Sequence, residues 1–161
     1  MGNGIEKICC FIGHRRINKT ATLEKTLKDV VEGLIVTQNV QTFLFGSKSE
    51  FDDMALNIVT RLKEAYPAVK RVYVRAVYPL LRKEYEEYLL ELYDATYMPM
   101  RVERAGTASY VQRNREMIEK SDIVVVYYEE KYALKKGKSG TRIAYSYAKN
   151  QKKLIINVCE E

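Results

Sequence analysis

One histidine, three cysteines and no apolar run approaching the roughly 18 residues of a membrane span limit what this 161-residue chain can be. A lone imidazole and three thiols leave a zinc site almost no material. Cys9 and Cys10 are adjacent in one apolar run, so on a strand they would point to opposite faces rather than share a metal. The odd count, with every thiol in an apolar segment, predicts reduced, buried cysteines and a reducing cytoplasm. Residues 1–7 lack a long apolar core and a cleavage site, so no secretory signal is expected. Gly2 invites myristoylation, but Glu6 stands where serine or threonine is required. There is also no full GxGxxG and no GxxxxGK[ST], which disfavours a standard dinucleotide oxidoreductase and a phosphate-hydrolysing P-loop protein.

What remains is the composition of an ordinary soluble domain, 47% hydrophobic and 30% charged, long enough for one core without disulfide or metal staples. The net charge of +6 raises a nucleic-acid reading. The basic residues are scattered, however, and only Lys131 to Lys138 forms a dense surface cluster. A solvated basic face explains that better than a polynucleotide track.

Hydrophobic spacing sets the order of elements. Lys7 to Ile12 reads as a strand buried on both faces. Leu23, Leu27, Val30, Val31 and Leu34 mark a helix, and Thr42 to Phe45 a second strand. Phe51, Met54, Ala55, Ile58, Val59 and Leu62 form a helical stripe ending near Pro67, before a strand over Val72 to Val77. Leu80 to Met100 departs from this rhythm and reads as an insert, with a helix through Leu81 to Leu92 and an extended piece at Ala95 to Met98. A helix from Ala108 to Ser121, a strand at Ile123 to Tyr128, a polar loop at Lys131 to Lys138, a helix over Thr141 to Asn150 and a strand at Leu154 to Val158 complete the chain. Strand–helix alternation with short connections predicts one α/β domain over 1–161, a Rossmann-like three-layer sandwich with a mainly parallel central sheet.

Such sheets bind ligands beyond the carboxyl ends of their strands. Gly13, His14, Arg15 and Arg16 follow the first strand, and Gly46, Ser47 and Asp52 follow the second. Arg113 and Asn114 sit on the helix before the strongest strand, and Ser139, Gly140 and Thr141 open the helix after it. Glycine turns let a ligand approach the backbone, and the arginines suit an anion, foremost the phosphate of a nucleotide. His14 has the chemistry of an acid or base, or of a structural hydrogen-bonding group. Ser49, three residues before Asp52, predicts a helix cap, while a carboxylate at Asp52 would suit a ribose or base. Tyr85, Tyr88 and Tyr93 suit core packing or a partner surface; Tyr127, Tyr128 and Tyr132 lie nearest the expected site.

Taken together, Phe11-Ile12-Gly13-His14-Arg15-Arg16, the segment Arg113 to Asp122, and Gly140-Thr141 resemble the SLOG superfamily. Those Rossmann-like domains include the cytokinin-activating LOG enzymes, the DNA-uptake protein DprA and the YpsA-like proteins. The opening is similar to the YpsA type, and Arg113 falls where the LOG arginine would be. LOG-type enzymes carry PGGxGTxxE, whose glutamate works with that arginine to cleave the N-glycosidic bond of a nucleoside monophosphate. Here Ala144 stands three residues after Thr141, in place of the glutamate. A carboxylate stabilises the oxocarbenium-like sugar of such a cleavage, and nothing places Asp52, Glu129 or Glu130 to substitute.

The resemblance therefore implies a binding domain for a nucleotide or nucleotide-derived signal, such as a relative of ADP-ribose, with Gly13, Gly140 and Thr141 donating to phosphate. Arg15, Arg16 and Arg113 would balance its charge, and Ser47 and Asp52 would hold sugar or base. The alternatives are an N-glycosidase using Arg113 as its catalytic residue, and a DprA-like single-strand binder. No cofactor or metal is called for, and relatives of this kind often associate, so a homodimer is expected.

Overall fold

The structure, a computed structural model, describes residues 4–47, 49–76, 83–136 and 139–159. Its sheet has six strands: β1 (Lys7–Gly13), β2 (Val40–Phe45), β3 (Lys70–Val74), β4 (Ala95–Tyr97), β5 (Ile123–Tyr127) and β6 (Leu154–Asn157). All are parallel and lie in the order β4-β3-β2-β1-β5-β6. The chain thus builds outward from β1 to one edge, then crosses to β5 on the other side of β1. That reversal places the crevice of an open α/β sheet at the carboxyl ends of β1 and its neighbours. The fold is the Rossmann-like sandwich that the alternation predicts.

The helices are α1 (Ala21–Gln38), α2 (Glu50–Ala65), α3 (Lys83–Leu92), the short α4 (Met100–Glu103), α5 (Ser109–Lys120), α6 (Glu130–Lys136) and α7 (Gly140–Asn150). Side-chain alternation along β1 assigns the two layers. Cys9 and Phe11 join Leu27, Val31, Ala55, Ile58 and Leu89 in one core. Cys10 and Ile12 join Met117, Ile118, Ala144 and Ala148 in the other. Phe11 stacks on Phe43 and Phe45 with ring centroids 5.8 and 5.1 Å apart, and meets Phe51 edge-on. No helix among the described residues is long and apolar enough to cross a membrane.

Two expectations change. Residues 83–97 do not stand apart from the sheet: α3 leads into β4, which pairs with β3 and extends the edge. Arg71 fastens this unit by gripping the Asp94 carboxylate through Nε and Nη2 at 3.0 and 3.2 Å. Lys131 to Lys136, read as loop, belongs to α6. Its Lys–Tyr–Ala–Leu–Lys composition favours a helix, and Ala133, fully buried, anchors it to the second core. Gly137 and Lys138 of the expected loop lie outside the described residues, as do Val77 of the expected third strand and Leu80 and Leu81. The third strand begins at Lys70, two residues early.

Phe11 lies at the centre of the larger core, so Phe11→Ala is expected to lower the unfolding free energy by about 3–5 kcal/mol. Leu90→Ala, at a half-exposed position of α3, is expected to change it by no more than about 0.5 kcal/mol. Urea denaturation of the two variants checks both values.

Candidate functional site

A cleft of about 810 Å³ opens at the carboxyl end of the sheet. Of the twelve candidate residues, Gly13, His14, Arg15, Gly46, Ser47, Arg113, Asn114, Ser139, Gly140 and Thr141 line it. Arg16 does not: it is exposed on the turn after β1, beside Glu50. Asp52 does not either: it is buried, and works from underneath.

The second helix explains the position of Asp52. Ser49 caps α2 by accepting the Asp52 N–H at 3.0 Å, which turns the Asp52 side chain back toward the end of β2. There its Oδ2 accepts the N–H groups of Gly46 and Ser47 at 3.2 and 3.0 Å, while Oδ1 is buried with no partner. Burial pushes the carboxyl up to about 7, against the opposing pull of those two N–H groups and of Arg113. A group in this environment shapes the floor of the cleft rather than receiving a sugar, which corrects the role expected from the sequence.

Arg113 comes from α5, on the opposite face of the sheet. It is 4% exposed, donates from Nη1 to the Gly46 carbonyl, and donates from Nε to Asn114 Oδ1 at 2.9 Å. Its guanidinium also lies 5.6 Å from the Tyr110 ring centroid. Burial lowers its pKa from the ordinary arginine value, with Asp52 pulling the other way. Asp52 and Arg113 therefore grip the same residue of the turn, one by its N–H and the other by its C=O.

The glycines of β1 and β2 serve this packing. A Cβ at Gly13 would come under 3.0 Å from Phe51, and one at Gly46 under 3.0 Å from Arg113 and Met117. Their closest approaches are to the protein's own side chains. Gly140 differs, since a Cβ there meets nothing within 4 Å.

His14 ties two loops together. Its Nε2 accepts the Glu129 N–H at 2.9 Å, and its backbone N–H reaches the Tyr127 carbonyl at 3.3 Å. The neutral ring therefore carries its proton on Nδ1. Burial lowers its pKa below the usual 6.5, and the Tyr132 ring packs at 4.6 Å. With Nε2 occupied by a backbone donor, His14 is placed as a latch rather than as a base.

At the other wall, Ser139 caps α7 by accepting the Arg142 N–H at 3.2 Å, and its carbonyl accepts the Ile143 N–H. The Gly140 and Thr141 N–H groups are left without an acceptor inside the helix. Thr141 Oγ1 donates to the Gly13 carbonyl at 3.0 Å, which docks this helix start against the end of β1. Partial positive charge at α7, together with Arg15 and Arg113, makes an anion-favouring surface. Among the described lining residues no side chain is acidic.

Tyr73, Ala76 and Tyr110 also line the cleft and escape the sequence reading. Tyr73 is detectable only through the register that sets β3 beside β2, and Tyr110 only through its place one turn before Arg113. No protein-family model matches the chain, and no curated protein matches it.

Two outcomes follow from this geometry. Gly13→Ala is expected to cost about 1–3 kcal/mol through overpacking against Phe51, whereas Gly140→Ala is expected to leave the melting temperature nearly unchanged; thermal denaturation distinguishes them. Asp52 has a folded pKa of about 7 against an ordinary 3.8. Its contribution to stability is therefore full below the lower value and lost as pH rises through the upper one. His14 acts in the opposite sense, since its lowered pKa costs stability as pH falls below 6.5. Melts of wild type and Asp52→Asn from pH 5 to 8 should show the variant losing less stability toward pH 8.

Proposed function

We propose that the cleft binds, and thereby senses or sequesters, a nucleotide or nucleotide-derived signal, as the resemblance to the SLOG superfamily implies. One observation carries this reading: the start of α7, Arg15 and Arg113 converge with the neutral polar side chains of Ser47 and Asn114 on one cleft whose described lining holds no acidic residue. A phosphate fits against the Gly140 and Thr141 N–H groups beside Arg15. Tyr73, Ala76 and Tyr110 offer the less polar wall for sugar or base. The cleft volume lies within the roughly 300–1,000 Å³ of small-molecule sites.

Binding is favoured over cleavage because a glycosidic bond needs a carboxylate facing the sugar. Ala144, where the LOG glutamate would stand, is buried in the second core. Asp52 lies beneath the floor, and Glu130 accepts the Tyr128 hydroxyl. Polynucleotide binding is disfavoured because basic groups of the α4–α5 face are already paired, Arg101 with Glu119 at 2.9 Å and Lys120 with Glu116 at 3.0 Å. A homodimer through the exposed Tyr88, Leu90 and Leu92 of α3, in a cytoplasmic setting that suits three free cysteines, belongs to the same reading.

A thermal-shift panel of AMP, ADP-ribose, NAD and a short single-stranded oligonucleotide at fixed salt tests it. A true ligand at a hundred times its dissociation constant stabilises by about 2.7 kcal/mol, which is a shift of several degrees for a chain of this size. Arg15→Ala, at an exposed position, should abolish the shift without altering the unliganded melt. Stabilisation by the oligonucleotide alone would sink the reading. Chromatography of the same mixtures should recover the ligand intact; released base would replace binding with hydrolysis.

A further inference from the structure

Both ionisable partners at the cleft floor are almost wholly buried, Asp52 3% exposed and Arg113 4%, and they come from helices on opposite faces of the sheet. No direct ion pair joins them among the described residues; Gly46 stands between, with its N–H on Asp52 Oδ2 and its C=O on Arg113 Nη1. The single guanidinium charge of Arg113 must therefore balance the carboxylate below it and any anion placed in the cleft that it lines. Two negative charges around one buried cation are costly in a poorly solvated site.

The carboxyl has a ready way to lose its charge without disturbing the floor. Oδ2 holds both turn N–H groups, whereas Oδ1 is buried and unpartnered. A proton on Oδ1 leaves both turn bonds in place and removes an uncompensated buried charge. We propose that the cleft takes up its anionic ligand together with one proton, which goes to Asp52 Oδ1, so that Arg113 is released from the carboxylate to the ligand. This rests on the anion-binding reading of the cleft given above.

The other titratable groups facing Asp52 do not compete for that proton near neutrality. Cys10 of β1 and Tyr73 of β3 are both pushed up to about 12 by burial, and Tyr93, between α3 and β4, is raised further. Arg113 of α5 is the cation that acts on the carboxyl from across the sheet. The carboxyl of Asp52 itself, raised to about 7, stands where a proton can be gained or lost in that range. His14, the remaining titratable side chain on the described cleft wall besides Tyr73, Tyr110, Tyr132 and the two arginines, is held neutral by burial above the usual 6.5. Linkage then requires affinity to fall as pH rises, by at most about tenfold per pH unit for one coupled proton.

The test is isothermal titration calorimetry of the full chain with ADP-ribose, whose pyrophosphate has no proton that titrates near neutrality. Titrations at pH 6.5, 7 and 8.5, each in two buffers of different ionisation enthalpy, count the protons taken up. The expected result is uptake of a substantial fraction of one proton near pH 7 and affinity at least several-fold weaker at pH 8.5. Asp52→Asn should bind with an affinity that no longer changes with pH. Binding by wild type with no proton uptake and no pH dependence overturns the coupling while leaving the anion site standing. The same pH dependence in Asp52→Asn also overturns it, by transferring the proton to another group. Absence of binding at every pH overturns the anion site and the coupling with it. The buffer comparison uses wild type alone, so it decides the matter even where the variant fails to fold.

Discussion

The turn after β2 is held from both sides of the sheet, and the shape of the cleft depends on that grip. Asp52 reaches it from α2 and Arg113 from α5, so the two helical layers are connected through one backbone unit at the sheet's carboxyl end. Gly46 has no room for a side chain because Arg113 and Met117 already occupy the space. Removing either charge would leave the other buried and unbalanced, which is far costlier than losing an exposed pair. The arrangement also explains why a cleft suited to anions has a carboxyl just below its floor: the acid orders the turn that presents Ser47.

The neighbouring turn after β1 is built differently. Neutral contacts fix most of it, namely the His14 ring on the Glu129 N–H and Thr141 on the Gly13 carbonyl, and the Glu50 carboxylate holds the Ile17 N–H at 2.9 Å. Three separate elements thereby meet around β1, and the N-terminal end of α7 is brought to the same place. A site of this kind is preorganised by its walls, and a ligand entering it would meet N–H groups already oriented by the fold.

Much of this was legible in the sequence. The parallel sandwich follows from apolar runs alternating with helical stripes, and every expected strand appears within a few residues of its place. Ten of twelve candidate residues reach one cleft because strand ends and helix starts are forced to the same edge of a parallel sheet. The misreadings have local physical causes. Asp52 is drawn under the turn by its own helix cap, a matter of side-chain direction that residue type alone does not convey. Arg16 is turned to solvent one residue past the cleft rim. The lysines around Ala133 conceal a helix because a single buried alanine is a weak apolar signal. Tyr73 and Tyr110 belong to the cleft through tertiary placement that no spacing rule encodes.

Cys9 and Cys10 are consecutive, fully buried and turned to opposite helical layers. Each thiol is shielded by a different set of helices, so each becomes reactive only when its own layer lifts from the sheet. The pair amounts to two native reporters at one point of the chain, able to tell whether the layer bearing α1 and α2 and the layer bearing α5 and α7 open together or in turn.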